Sequence, residues 1–210
     1  MDFRPQVPPE HYDLDYDSKI RFISYWTQIH EVVRLRPKSV LEVGIGNGFV
    51  HRYLRQRGYA VHTVDADARL GPDTVASVES LPFREREFEL VCCFETLEHL
   101  PFERFRAAAE ELRRVADRWV LISVPDVTPY LRFHLEWGFP KLILEKLLEL
   151  PARRPPVHEF DGEHYWEIGK RGYPLSRVRA ELESAGLAVE GTPRIAEEPW
   201  HRFFRCRVRP

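Results

Sequence analysis

Apolar positions follow two alternating rhythms along the chain. From Ser18 to Leu35, residues Ile20, Ile23, Tyr25, Trp26, Ile29, Val32 and Val33 recur at roughly helical spacing, which predicts an amphipathic helix stopped by Pro37. Ser39 to Val43 then reads SVLEV, a short β-prone run that ends in clustered glycines, and Phe49 to Arg57 resumes helical character. The cycle continues with a strand from Tyr59 to Val64 ending at Asp65 and an almost wholly apolar strand from Phe88 to Phe94. A helix from Phe102 to Ala116 and a buried strand from Trp119 to Val124 complete it. Strands that are apolar on both faces and alternate with helices predict a parallel sheet covered on both sides.

After Pro125 the alternation breaks. Residues 125–173 hold a short amphipathic helix expected at Lys141 to Leu150, the turn PARRPP, and then VHEFDGEHYWEIGKRGYP. An insertion of this length reads as a lid or binding loop. Pro174 to Gly186 predicts a helix opened by proline and stopped by glycine, followed by strands at Leu187 to Ile195 and Trp200 to Val208. In the last of these, Phe204, Cys206 and Val208 alternate with Arg205, Arg207 and Arg209, as an edge or partly exposed antiparallel strand would.

The 210 residues fit one domain with embellishments, divided as a helical lead-in (1–36), a core (37–124), a lid (125–173) and a C-terminal helix and strand pair (174–210). A formal net charge of −2 supplies no basic field for a nucleic-acid backbone, so nucleic acid is not an expected partner. Cys92, Cys93 and Cys206 have neither metal-ligand spacing nor a disulfide pattern. With no signal-like N-terminus and no apolar run near the roughly 20 residues of a membrane span, the expected location is the cytoplasm and no membrane partner is expected. The oligomeric state is not legible at this level.

The first strand opens into Glu42-Val43-Gly44-Ile45-Gly46-Asn47-Gly48. Its glycines fall at every second position, with a carboxylate two residues ahead of the first, unlike the GxGxxG of a pyrophosphate-binding turn. VLEVGIGNG, the acidic strand end in TVDAD, and the later LPF and FETLEHL together resemble, in order and spacing, the class I S-adenosylmethionine-dependent methyltransferases. HYWEIGKRGYP and EPWHRFF resemble the tail of a bacterial and archaeal subgroup of them.

The resemblance implies an α/β, Rossmann-like, seven-stranded and mostly parallel sheet with helices on both faces and an insertion after the fifth strand. It implies S-adenosyl-L-methionine as cofactor and methyl transfer to a small-molecule acceptor. Gly44, Gly46, Asn47 and Gly48 would admit its amino-acid end, with Glu42 orienting that end. Asp65, beside Ala66, would accept from both ribose hydroxyls. Ser77 stands where relatives carry an adenine-binding Asp, so Ser77, Val78 and Glu79 would clasp the ring, and Phe94 would lie beneath the methionine part. A non-catalytic cofactor-binding protein and a nicotinamide oxidoreductase are the rival readings; the glycine spacing speaks against the latter.

The sulfonium already makes the methyl group electrophilic, so the transfer needs orientation first and a base only if the nucleophile must lose a proton. Glu95, Glu98 and His99 would share a helix face if a helix begins there. Their spacing resembles the Glu-x-x-Glu-His of small-RNA and quinone-precursor methyltransferases that hold a divalent ion, although no metal is assigned here. In HEFDGEHYWEIG, His164 is the candidate base, partly desolvated by Tyr165 and Trp166, with His158 expected to be exposed. His99 is the second catalytic candidate, and His201 a further one.

Overall fold

The computed structural model describes residues 9–12, 16–139, 141–150 and 152–209. Helix α1 spans Lys19–Leu35; the Ser18 side chain caps it by accepting the Arg21 amide (3.3 Å), and Arg36 ends it in the left-handed region (φ 47°) just before Pro37. There follow β1 (Val40–Val43), α2 (Phe49–Gln56), β2 (Val61–Asp65), the two-residue β3 (Thr74–Val75), β4 (Phe88–Phe94), α3 (Phe102–Val115) and β5 (Ala116–Pro125). Strands β6 (Tyr130–Trp137) and β7 (Leu142–Glu149) precede α4 (Leu175–Ser184), β8 (Leu187–Gly191) and β9 (His201–Val208). None of the described helices is long and apolar enough to cross a membrane.

Seven strands form one sheet in the order β3-β2-β1-β4-β5-β9-β8. The pairs from β3 through β5 are parallel, whereas β9 runs antiparallel to both β5 and β8. Two apolar clusters flank the sheet. One holds Phe105, Ala109 and Leu112 of α3 with Val178 and Leu182 of α4; the other holds Tyr25 and Val32 of α1 with Val50 and Leu54 of α2. The doubly covered parallel sheet expected from the apolar rhythm is the observed one, and its strand order reverses direction beside β1 and β4, where the carboxyl ends diverge and leave a crevice.

Two expectations need correction. The Lys141 to Leu150 stretch is not a helix: β7 pairs antiparallel with β6 from Tyr130↔Glu149 to Trp137↔Leu142, forming a separate two-stranded sheet. LILEKLLE fits either period, and the strictly alternating YLRFHLEW across the Gly138 turn recruits it as a partner. Of the two alternatives for β9, the edge is overturned, since it is inserted between β5 and β8; the partly exposed antiparallel strand is the observed one, with Phe204 and Cys206 buried and Arg207 exposed.

The returning insertion is fastened to the core by Trp166. Its indole is fully buried, edge-on to Phe102 and Phe105 at 4.9 and 5.3 Å, and its Nε1 donates to the Leu100 carbonyl (3.2 Å). The ring therefore packs into the core instead of walling His164, as the sequence suggested. Trp166→Phe removes the hydrogen bond and leaves a gap, so stability should fall by about 1–3 kcal/mol. Urea unfolding should show a lower midpoint at unchanged slope; an unaltered midpoint would discount the anchor.

Candidate active site

The carboxyl ends of β1, β2, β4 and β5 open into a cavity of about 560 Å³. Its first wall is the turn between β1 and α2. Gly44 sits at φ +80°, and a Cβ built there would lie 2.1 Å from Thr96 Oγ1, so the backbone passes the β4 turn at a distance only glycine tolerates. Asp65, at the end of β2, clamps this turn: its carboxylate accepts the amides of Ile45 (2.9 Å) and Asp67 (2.8 Å). Burial raises its pKa and those amides pull it back. Each oxygen retains lone-pair capacity toward the cavity that it lines.

Glu42, on β1, is buried and lines the same wall, and its Oε2 has no hydrogen-bond partner among the described residues. Burial pushes its pKa up to about 8, against the opposing charges of Arg55 and Arg52. Asn47 is held to the helical lead-in, its Nδ2 donating to Asp17 Oδ1 and Tyr25 Oη at 2.8 Å each, while its Oδ1 caps α2 by accepting the Phe49 amide (3.0 Å). Gly46, Ala66, Ser77, Val78 and Phe94 also line the cavity. Gly48 does not, since it forms the left-handed entry to α2, and the Glu79 carboxylate is turned to Arg104, whose Nε donates to it at 2.6 Å.

At the other end, β4 is followed by Glu95 with φ 47°, a strained value for a non-glycine residue, its amide donating to Ser123 O (2.9 Å). A single 3-10 turn follows at Leu97–His99, and α3 begins only at Phe102. Glu95, Glu98 and His99 thus all reach the cavity, but from a kinked turn and not from the helix face expected. Glu95 and Glu98 are driven toward their neutral forms by burial, Glu95 to about 7 and Glu98 well above the carboxylate range. Neither oxygen of Glu98 has a hydrogen-bond partner among the described residues.

The insertion supplies the facing imidazoles. His164 Nδ1 lies 3.1 Å from Glu167 Oε1, and its pKa is raised: burial opposes the charge, but the Glu167 hydrogen bond with the Asp161 and Glu167 charges outweighs it. The His99 ring stands edge-on to it at 5.3 Å, with Nδ1 3.0 Å from Glu163 O, and burial lowers its pKa. Glu98, His99 and His164 bring one donor atom each to within 4.8 Å of one another. His158 is half-buried, contrary to expectation, because its Nε2 pairs with His164 O at 2.8 Å.

One group of lining residues escapes the sequence reading, and a candidate that it did name, His201, finds its place only in the fold. Tyr12, Tyr16 and Arg21, from and before the start of α1, close one side of the cavity, and nothing periodic in their neighbourhood announces it. His201, at the start of β9, lies 3.1 Å from Glu95 Oε2, 2.9 Å from Ser24 Oγ and 3.3 Å from Glu198 Oε2. Burial, helped by the Arg21 charge, lowers its pKa to about 3, so it is a neutral imidazole. EPWHRFF carried the signal for Glu198 and His201, which only the β5–β9 pairing converts into a place.

Comparison with known proteins agrees with this geometry. Residues 41–118 match the family model of a methyltransferase domain. No curated protein matches the sequence. Among solved structures, an S-adenosylmethionine-dependent methyltransferase from Clostridium acetobutylicum superposes with a TM-score of 0.61 at 9% identity, covering 93% of this chain and 96% of that one. The 1,6-didemethyltoxoflavin-N1-methyltransferase of Burkholderia thailandensis gives 0.59 at 16% identity over 100% and 94%. Magnesium protoporphyrin IX methyltransferase from Synechocystis gives 0.59 at 14% over 90% and 84%. The domain match, from β1 to the start of β5, and the fold shared with these structures make the chain similar to S-adenosylmethionine-dependent methyltransferases.

Proposed function

We propose that the chain transfers a methyl group from S-adenosyl-L-methionine to a small-molecule acceptor seated between the β4 turn and the insertion. The carrying observation is one continuous cavity that joins the glycine turn and Asp65 to a wall of carboxylates and imidazoles. The residues fit the cofactor. Gly44 provides a backbone approach that a side chain would block, and Glu42 turns an unpartnered, buried carboxylate oxygen to the same wall, suited to an ammonium. Bound there, the cofactor supplies a sulfonium-activated methyl group.

The chain's own groups do the rest. Asp65 accepts from the ribose hydroxyls while holding the Ile45 amide, so binding and turn geometry share one side chain. Ser77 and Val78 border the base, and Phe94 floors the centre. The part of residues 125–173 that covers the acceptor is the stretch around Glu163 to Glu167, together with Pro125 and Val127. His164 takes the acceptor's proton: Nδ1–H donating to Glu167 leaves Nε2 as the basic atom. His99 packs against that ring and fixes its plane. Neighbours of the same fold whose names specify 1,6-didemethyltoxoflavin and magnesium protoporphyrin IX support a small-molecule acceptor.

Asp65→Ala should weaken S-adenosylmethionine binding at least tenfold by titration calorimetry, since charge-assisted hydrogen bonds contribute on the order of 1.5–3 kcal/mol each. Unchanged affinity would remove Asp65 from this role, and tighter binding of NAD than of S-adenosylmethionine or S-adenosylhomocysteine would overturn the cofactor assignment. A chain that binds the cofactor but never produces S-adenosylhomocysteine with any acceptor fraction would be a binding protein instead.

A further inference from the structure

Among the described residues, one face of the β6–β7 hairpin has no partner. Residues directly opposite in an antiparallel pair share a side, so Leu131, Phe133, Leu135 and Trp137 stand on one face with Leu148, Lys146, Leu144 and Leu142. The other face carries Tyr130, Ile143 and Leu147 beside Arg132, His134, Glu136 and Glu145, which pair among themselves, Arg132 Nη2 reaching Glu145 Oε1 at 2.7 Å and His134 Nδ1 the same oxygen at 3.2 Å. All seven large apolar side chains of the first face are 41–65% exposed.

The hairpin is nevertheless fixed at its base. Arg202, buried on β9, donates through Nε to Asp126 Oδ2 (2.7 Å) and pairs with Glu149, while the Arg194 guanidinium stands over the Tyr130 ring at 5.3 Å. A two-stranded hairpin is not independently stable in water, so an apolar face held out in this way needs cover whenever the chain is folded.

We propose that a second copy of this chain covers it, the two apolar faces packing against each other about a two-fold axis. Two features select this occupant. If each carries on the order of the 150–250 Å² of an aromatic side chain, then at the observed exposures the seven offer roughly 560–940 Å², a range that brackets the roughly 800 Å² each partner contributes to a standard stable interface. The face is also a regular two-stranded surface, more continuously apolar than the ion-paired face behind it, of the kind through which sheets stack about 10 Å apart, and an isologous pairing uses the same patch twice. Its one charge, Lys146, lies on an outer strand from which the ammonium can reach water. A lipid surface is the competing occupant; the chain's net charge of −2 gives it no basic field for an anionic bilayer.

The test is the mass in solution, by light scattering across a hundredfold concentration range, of the full chain and of Leu135→Glu/Leu144→Glu, a cross-strand pair in the middle of the face. Wild type should run at twice the chain mass. The variant should run at the single mass and keep S-adenosylmethionine affinity within threefold, which shows that it folds. If the variant fails to fold, hydrogen exchange on wild type decides: residues 130–149 should be protected at high concentration, and uniformly fast exchange there would overturn the proposal. A monomeric wild type overturns it, as does a dimer that survives the double substitution. Sedimentation of a monomeric wild type with phosphatidylcholine–phosphatidylglycerol vesicles would assign the face to membrane instead.

Discussion

Gly44→Ala should abolish measurable cofactor binding, lowering S-adenosylmethionine affinity a hundredfold or more. Two costs combine. The left-handed φ of +80° costs an alanine about 1–2 kcal/mol. The larger cost is steric, because the new Cβ would meet Thr96 at Oγ1 (2.1 Å), Cγ2 (2.9 Å) and Cβ (3.0 Å), so Thr96 must move to admit it. Thr96 Oγ1 donates to the Phe94 carbonyl (2.9 Å) and belongs to the turn that places Glu95 and Glu98, so pushing it away disturbs both ends of the cavity. Thr96→Ala in the same chain removes two of the three contacts and should restore part of the affinity. A double-mutant cycle on binding, with circular dichroism to confirm the fold, measures that recovery. Wild-type affinity in the single variant would show that close approach of the β1 and β4 turns is not what the site needs.

The glycine turn and acidic strand end that line one side of the cavity were legible because their demands are local. A tight turn that must pass another backbone needs glycine, and a strand end that must accept hydrogen bonds needs a carboxylate, so Gly44 and Asp65 announce themselves in nine and five letters of sequence. Apolar strands of fixed length announce the sheet in the same way. The acceptor end is assembled from residues far apart in the chain. His201 meets Glu95 only because β9 pairs antiparallel with β5, from Trp119↔Arg207 to Pro125↔His201, and Trp166 reaches Phe102 only because the insertion returns along the edge of β5. No period in the sequence encodes such long-range closure. The hairpin fails for a different reason: Leu142 to Glu149 satisfies both the helical and the extended pattern, and its pairing partner decides between them.

The acid limb of the pH–rate profile should report His164. Its imidazole is held above its ordinary pKa, so it is protonated, and useless as a base, to a higher pH than a free histidine; turnover should climb as pH rises through that raised value and then level. Glu167 is a principal reason for the elevation, through the 3.1 Å contact to Nδ1 and its charge. Glu167→Gln keeps an oxygen that can accept from Nδ1–H but loses the charge, so the acid limb should move to lower pH while turnover is cut only modestly. His164→Ala should lower kcat about 100-fold or more and flatten the limb, with cofactor affinity within a factor of a few, because His164 faces the acceptor end while Asp65 and Gly44 are untouched. These rates need an acceptor, which labelled methyl transfer from S-adenosylmethionine into fractionated lysate would supply. Wild-type turnover in His164→Ala would pass the base to the neutral His201 beside Glu95, and an acid limb that survives there near 7 would point to Glu95 or Glu198, both raised by burial to about that value.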